Sequence, residues 1–149
     1  MPVLRDTPYG AFNFLISFEG LDPNSVQAGF SGVRGLDRGV DLLEYRAGNY
    51  KTNAPRLVPG RAKPIMVTLT RGLVGDTTLY EWMSASLEGS PDRRTVVIQL
   101  LAEDRSEVVQ TWRLANAWPA ALEGPTLDAM GSAVAIERLV LVADDMSIG

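Results

Sequence analysis

Asp76-Thr77-Thr78-Leu79-Tyr80-Glu81-Trp82-Met83-Ser84-Ala85-Ser86-Leu87-Glu88-Gly89 is the one stretch of this sequence that reads as a helix. Asp76 suits an N-cap, because its carboxylate can accept from first-turn amides and faces the positive end of the helix dipole. Leu79, Trp82, Met83 and Leu87 then fall on one face at helical spacing, with Thr78, Glu81 and Glu88 largely elsewhere. Gly89 can take the left-handed conformation that closes a helix, and Ser90-Pro91 stops it from continuing. A lone amphipathic helix must lay its apolar stripe on something. The rest of the chain offers sheets.

Immediately before it, Ile65, Val67 and Leu69 alternate with Met66, Thr68 and Thr70, a strand that ends at Arg71-Gly72. After it, Val96, Ile98, Leu100 and Ala102 form one apolar face, and Glu103-Asp104-Arg105-Ser106 makes the turn. On the return strand Val108, Trp112, Leu114 and Trp118 share a face opposite Thr111 and Arg113. Pro119 and Gly124-Pro125 are expected to break the chain before a last strand from Val134 to Ala143, apolar on both faces. Near the N-terminus, Phe12, Phe14, Ile16 and Phe18 alternate with Asn13, Leu15, Ser17 and Glu19, Gly20 to Ser25 is turn-rich, and Val26, Ala28 and Phe30 alternate again. Val40 to Tyr45 is a short strand with mixed faces. The sum is about seven or eight antiparallel strands and one helix: a mainly β chain, two packed sheets forming a sandwich or barrel with the helix on its flank.

Composition narrows the function. The 149 residues fit one domain with a sizeable core, with 46% hydrophobic and 21% charged residues. A net charge of −4 disfavours nucleic acid as a specific partner, since backbone neutralisation needs a concentrated basic surface. The chain has no cysteine and no histidine, which removes thiol chemistry, thiolate metal sites and the commonest neutral-pH general base. The opening Met1-Pro2-Val3-Leu4-Arg5-Asp6 lacks an apolar leader, and the longest aliphatic run, Leu139 to Ala143, is too short to span a bilayer. Cytoplasmic synthesis without a membrane anchor is the expectation, with later release from the cell left open.

No catalytic constellation emerges. Gly29-Phe30-Ser31-Gly32 is not a nucleophile elbow, because Val33 follows and no histidine exists to activate the serine. The spacing Gly29-x-x-Gly32-x-x-Gly35 has no helix after it to hold a phosphate, so bulges or a tight turn are the better reading. Glu103-Asp104 and Asp144-Asp145 read as solvated charge, Arg93-Arg94 as surface, and Trp112 and Trp118 as core. We expect no cofactor and no metal. One segment stays unexplained. From Arg46 to Pro64 the chain turns polar, proline-punctuated and basic, a connection of about 18 residues, long for a compact domain. Its body, 46–63, is either a solvated hairpin or an arm that docks on a neighbouring subunit. Tyr45, Arg46, Asn49, Tyr50, Lys51, Arg56 and Arg61 are the candidate contact residues.

Several ordered motifs resemble one family. They are Pro8-Tyr9-Gly10-Ala11-Phe12-Asn13-Phe14, Gly29 to Leu36, Leu42-Leu43-Glu44-Tyr45-Arg46-Ala47-Gly48 and Arg56-Leu57-Val58-Pro59-Gly60. More specific are Leu69 to Gly75 leading into the helix with Trp82, and Trp112-Arg113-Leu114-Ala115-Asn116-Ala117-Trp118-Pro119. Glu123-Gly124-Pro125 and Val134-Ala135-Ile136-Glu137 follow. From about Thr7 to Asp144 the sequence is similar to the tail-tube proteins of contractile phage tails, a family that includes the tubes of extracellular contractile injection systems. Two departures are Glu103-Asp104-Arg105-Ser106, where the family has a glycine-centred turn, and Met130, where it often has asparagine.

The resemblance implies a scaffold rather than an enzyme. It implies two packed antiparallel sheets with a flanking helix, hexameric rings, and rings stacked into a hollow tube within a contractile sheath. The implied partners are copies of itself, the sheath protein, baseplate and tube cap or terminator proteins, and cargo in the lumen, within a phage tail or phage tail-like particle. A type VI secretion tube shares the fold and is the first alternative. A monomeric small-ligand-binding barrel is the second.

Overall fold

Alternation of apolar and polar residues carries over directly into strands. The computed structural model of the protein describes residues 5–20, 30–73 and 75–149. Among these the chain forms β1 (Phe14–Phe18), β2 (Phe30–Arg34), β3 (Val40–Tyr45), β4 (Arg56–Ala62) and β5 (Ile65–Gly72). Then come α1 (Thr78–Leu87), β6 (Arg94–Leu101), β7 (Val108–Glu123), β8 (Ile136–Ala143) and β9 (Asp145–Ile148). The turn expected at Gly20 to Ser25, the alternation at Val26 and Ala28, and Gly29 lie mostly outside the described residues; Gly20 itself is described, with φ +75°.

Six strands hydrogen-bond in one antiparallel path that bends into two leaves, and a seventh, β9, joins it on β7. One leaf runs β1-β6-β7-β9 and the other β7-β8-β5-β2. Strand β7 serves both: through Ala117 it pairs with β6, and from Trp118 with β8. No pairing joins β1 to β2 among the described residues, so the sandwich is not closed into a barrel. Among the described residues, strands β3 and β4 pair only with each other.

The corner in β7 sits at Asn116, whose φ of 53° is left-handed, a conformation asparagine tolerates better than most residues. Its amide donates to Asp144 Oδ2 at 3.1 Å, and the Asp144 backbone N–H donates to the Ala115 carbonyl at 3.0 Å. The corner changes which side chains face inward. Leu114 is buried before it, and Ala117 and Pro119 after it. Trp118 therefore leaves the face it was expected to share with Trp112. Val108 is also turned outward and Val109 inward, because the β6–β7 register shifts at Leu100/Leu101. Pro119 does not break the chain. Its half of β7 is a sheet edge with a bulge between Pro119 and Ala121, where a missing N–H costs no ladder bond. Strand β9 was not expected at all: the Asp144-Asp145 pair opens a strand and Met146 is buried.

Both leaves and the helix fill one core. Ile16 and Phe18 meet Val67, Leu69, Val96, Ile98, Leu114, Leu139, Leu141 and Met146, together with Leu79 and Trp82 from α1. Phe12 lies outside β1 and is exposed. In α1 the inward stripe is shorter than the spacing suggested. Leu79 and Trp82 are buried and Met83 is half-buried, but Leu87, in the last position, is 74% exposed. The helix starts after Thr77 rather than after Asp76, and Thr77 makes no side-chain cap. Asp76 still serves the first turn from one residue further out. Its Oδ1 accepts from the Thr78 hydroxyl at 2.6 Å and the Thr78 N–H at 3.0 Å, which hold its carboxyl below the usual range. Gly89, with φ 87°, closes the helix.

A cluster of charge tethers the N-terminal strap to the β6–β7 turn. Arg5 donates two bonds to Glu103, at 2.5 and 2.9 Å, and stacks 3.7 Å from the Tyr9 ring centroid. The Gly10 N–H adds a third bond to Glu103 at 3.1 Å. These donors, Arg5 first, pull the Glu103 carboxyl from 4.5 down to about 2. A carboxyl depressed on folding stabilises fully above its ordinary value and loses that contribution as pH falls toward its folded one. The strap should therefore stay docked at pH 6 and detach between pH 4.5 and about 2. Hydrogen exchange at Gly10, compared with Glu103→Gln, reads this out. Equal protection of Gly10 at pH 6 and at the acid end would count against it.

Candidate assembly surfaces

The acidic pairs do not converge on a reaction centre. Glu103 is engaged by Arg5, Asp144 by Asn116, and Asp145 by Arg38 at 3.1 Å. Among the described residues no group of three or more acidic side chains is placed to hold a metal ion. The core between the leaves is filled by side chains, which leaves a ligand-binding barrel unsupported. Clefts of about 310 to 400 Å³ open instead at the surface: at the base of the β3–β4 hairpin, at its tip, and beside β9.

The hairpin is the feature that calls for a partner. The polar segment from Arg46 onward is not all loop, because Arg56–Ala62 forms β4 and pairs with β3, Tyr45 facing Arg56 and Leu43 facing Val58. Every residue of β3 is exposed, including Leu42 at 68% and Leu43 at 53%. A two-stranded ribbon standing alone is at best marginally stable in water, so its apolar residues gain from being covered. The projecting unit thus begins at Val40, earlier than the segment 46–63 that composition marks out.

Its tip is ordered by its own residues. Tyr45 and Tyr50 meet edge to face, with ring centroids 6.2 Å apart, and the Arg56 guanidinium lies 6.0 Å from the Tyr50 ring centroid. Arg46 donates to the Thr52 carbonyl at 2.9 Å and to the Tyr50 carbonyl at 3.2 Å, tying the turn to the end of β3. Tyr45, Arg46, Tyr50 and Arg56 are therefore brought together. Lys51 joins Tyr50 and Arg56 around the cleft at the tip, whereas Asn49 sits exposed in the turn and Arg61 near the base of β4. From Val40 to Lys63 the chain carries five basic and two acidic side chains, on a protein of net charge −4. A basic arm stands on an acidic body.

Open strand edges are the second surface. In the first leaf β1 and β9 lie at the margins, and in the second the C-terminal half of β7 and β2. Unpaired edges invite strand addition.

One internal feature was not read from the sequence. Arg71 lies directly opposite Glu137 in the β5–β8 register, both are buried, and the Arg71 Nε donates to Glu137 Oε1. The signal was present: Arg71 continues the inward series Ile65, Val67, Leu69, and Glu137 the series Leu139, Leu141, Ala143.

Residues 10–147 match the family model described as T4-like virus tail tube protein gp19. Among solved structures, the chain is similar to one in the sheath-tube complex of the extracellular contractile injection system PVC in its extended state. The two share 26% identity over 95% of this chain and 91% of that one, with a TM-score of 0.81. A chain of the anti-feeding prophage (AFP) baseplate is 28% identical over 97% of each chain, with a TM-score of 0.83. Others of similar likeness come from the AFP tube terminating cap and the PVC sheath/tube terminator. Hcp1 from Flavobacterium johnsoniae, at 17% identity and a TM-score of 0.57, shares the fold alone. Comparison with curated protein sequences gives no match.

Proposed function

We propose, because this chain belongs to the T4-like virus tail tube protein family, that its exposed hairpin and open sheet edges are the joints of a tube. The protein is a structural tail tube subunit of a contractile injection system or phage tail-like particle, not an enzyme. Hexameric rings are the assembly that suits its edges. A closed ring gives every margin a neighbour, where an open stack would leave ends free to add strands without limit. Rings stacked on one another form the hollow tube, with a sheath outside, baseplate proteins at one end and a cap or terminator at the other. Cargo passes through the lumen. Assembly in the cytoplasm, followed by release of the particle, completes the reading.

The observation that carries it is the β3–β4 hairpin, whose strands pair with no other strand among the described residues and whose residues are mostly exposed. Its position suits contact with the next ring or the neighbouring subunit. Burial of apolar arm and edge residues supplies most of the free energy, and basic arm on acidic body adds a part that salt screens beyond about 8 Å at physiological ionic strength. Deleting Gly48 to Asn53 removes the tip and leaves both strands in place. The variant should remain folded by circular dichroism but fail to build long tubes in electron micrographs. Tubes of normal length from the deleted chain would reduce the arm to an ordinary loop.

A further inference from the structure

The hairpin hangs on two short connections, residues 35–39 and 63–64. At its base the Lys63 N–H donates to the Gly39 carbonyl at 2.8 Å. From the first connection Arg38 reaches across to β9, where Nη1 donates to the Met146 carbonyl at 2.8 Å and Nη2 lies 3.1 Å from Asp145 Oδ1. The same Asp145 Oδ1 accepts from the Met146 N–H at 2.8 Å.

Strand β9 is an edge, and its alternation shows which backbone groups are free. Thr111 and Gly149 exchange both backbone bonds at 2.9 Å, so at Met146, three residues earlier, the N–H and C=O point away from β7. Those outward groups are the ones that Asp145 and Arg38 occupy. We propose that Arg38 is a latch which sets the direction of the hairpin and, in the same contact, closes the β9 edge to strand addition at Met146.

Two features make it a latch rather than a fixed joint. The ion pair is exposed on both sides, with Arg38 at 57% and Asp145 at 64%, and exposed pairs are weak and screened by salt. Clefts of about 380 and 310 Å³, both lined in part by Arg38, Gly39 and Lys63, leave the base room to turn. Gly35, with φ 95°, packs where any side chain would overlap the Met66 carbonyl, so the pivot is confined to the residues after it. Swinging the hairpin therefore withdraws Arg38 and uncovers Met146 together. Arm direction and edge availability are one equilibrium.

Because the chain has no cysteine, spin labels can be placed uniquely at Asn49→Cys on the tip and Glu107→Cys on the body, diluted with unlabelled subunit. The parent should give one narrow distance distribution. In Arg38→Ala and Asp145→Asn the ratio of latched to swung subunits should fall about fivefold, the scale of an exposed ion pair, so that a second, broader component appears beside that peak. Arg38→Lys should be intermediate, since an ammonium lacks the guanidinium's fork. Raising salt to about 1 M, where screening acts within about 3 Å, should broaden the parent's distribution in the same way. Distributions that superimpose on the parent's, in variants with an unchanged melting temperature, would overturn the latch. The consequence for assembly rests on the arm's proposed role: unlatched subunits should elongate tubes more slowly. Broadened distances with normal tube growth would uphold the latch and count against that role.

Discussion

Arg71→Leu should cost the isolated subunit about 3–5 kcal/mol, the scale for removing one partner of a buried ion pair. Arg71 is 1% exposed, and its guanidinium joins four elements. Nε donates to Glu137 on β8, Nη2 donates to the Asp76 carbonyl ahead of α1 at 3.2 Å, and the guanidinium lies 5.6 Å from the Phe30 ring centroid on β2. Nη1 stands 3.6 Å from Asp76 Oδ2, an ion pair too long for a hydrogen bond, and neither atom has another partner. Leucine removes the cation and leaves the Glu137 carboxylate buried beside apolar neighbours. The cost is that stranded charge more than the lost contact. It follows that Arg71→Leu combined with Glu137→Leu should recover most of the loss, because an apolar pair needs no compensation. Denaturant titration of both single variants and the double closes the cycle. A single variant within about 1 kcal/mol of the parent, or a double no better than either single, would refute this account.

Trp82→Ala should be of similar size, about 3–5 kcal/mol, for a different reason: it opens a cavity. The indole is 4% exposed and packs edge-on against Phe18 with ring centroids 5.6 Å apart. Its Nε1–H donates to the Asp92 carbonyl at 2.6 Å, pinning the start of β6 to the helix. Trp82→Phe keeps a ring and loses that bond, so it should cost nearer 1 kcal/mol beyond the volume change. In a chain of this size the alanine variant's melting temperature should fall by about 10 °C. Leu87→Ala, at an exposed helix end, provides the contrast and should barely move it. A Trp82→Ala midpoint indistinguishable from the parent's would mean that the helix does not carry the core contact described.

The inward faces of β1 and β5, and of β6 as far as Ile98, were legible because each is a local period of two. Strand β8, by contrast, reads as apolar on both faces, and β6 shifts register at Leu100/Leu101 so that Leu101 turns inward. Ile65, Val67 and Leu69, or Val96 and Ile98, are buried in the register that their own spacing dictates. The helix was legible from its stripe, though its N-cap is Thr77, one residue later than Asp76, which bonds Thr78 from outside the cap position. Prediction failed where a strand changes partner. Parity counted along β7 placed Trp118 with Trp112, but Asn116 turns the chain between leaves and resets the count. Nothing in the residues 112–118 states that two different sheets await the two halves.

The candidate surface divides in the same way. Composition alone marked a basic, proline-rich segment on an acidic chain, and ordered motifs pointed to the tube family that the whole-chain match then established. Only the tertiary structure decided that this segment is half of a hairpin, that the hairpin starts at Val40, and that Arg38 ties its base to Met146. The physical reason is range. Periodicity, caps and turns are set by neighbours within a few residues, so sequence by itself determined most of the elements, the faces of the regularly alternating strands, and the family. The Arg71–Glu137 pair spans 66 positions and the Arg38–Met146 bond 108. Contacts at such separations exist only once the two leaves have met.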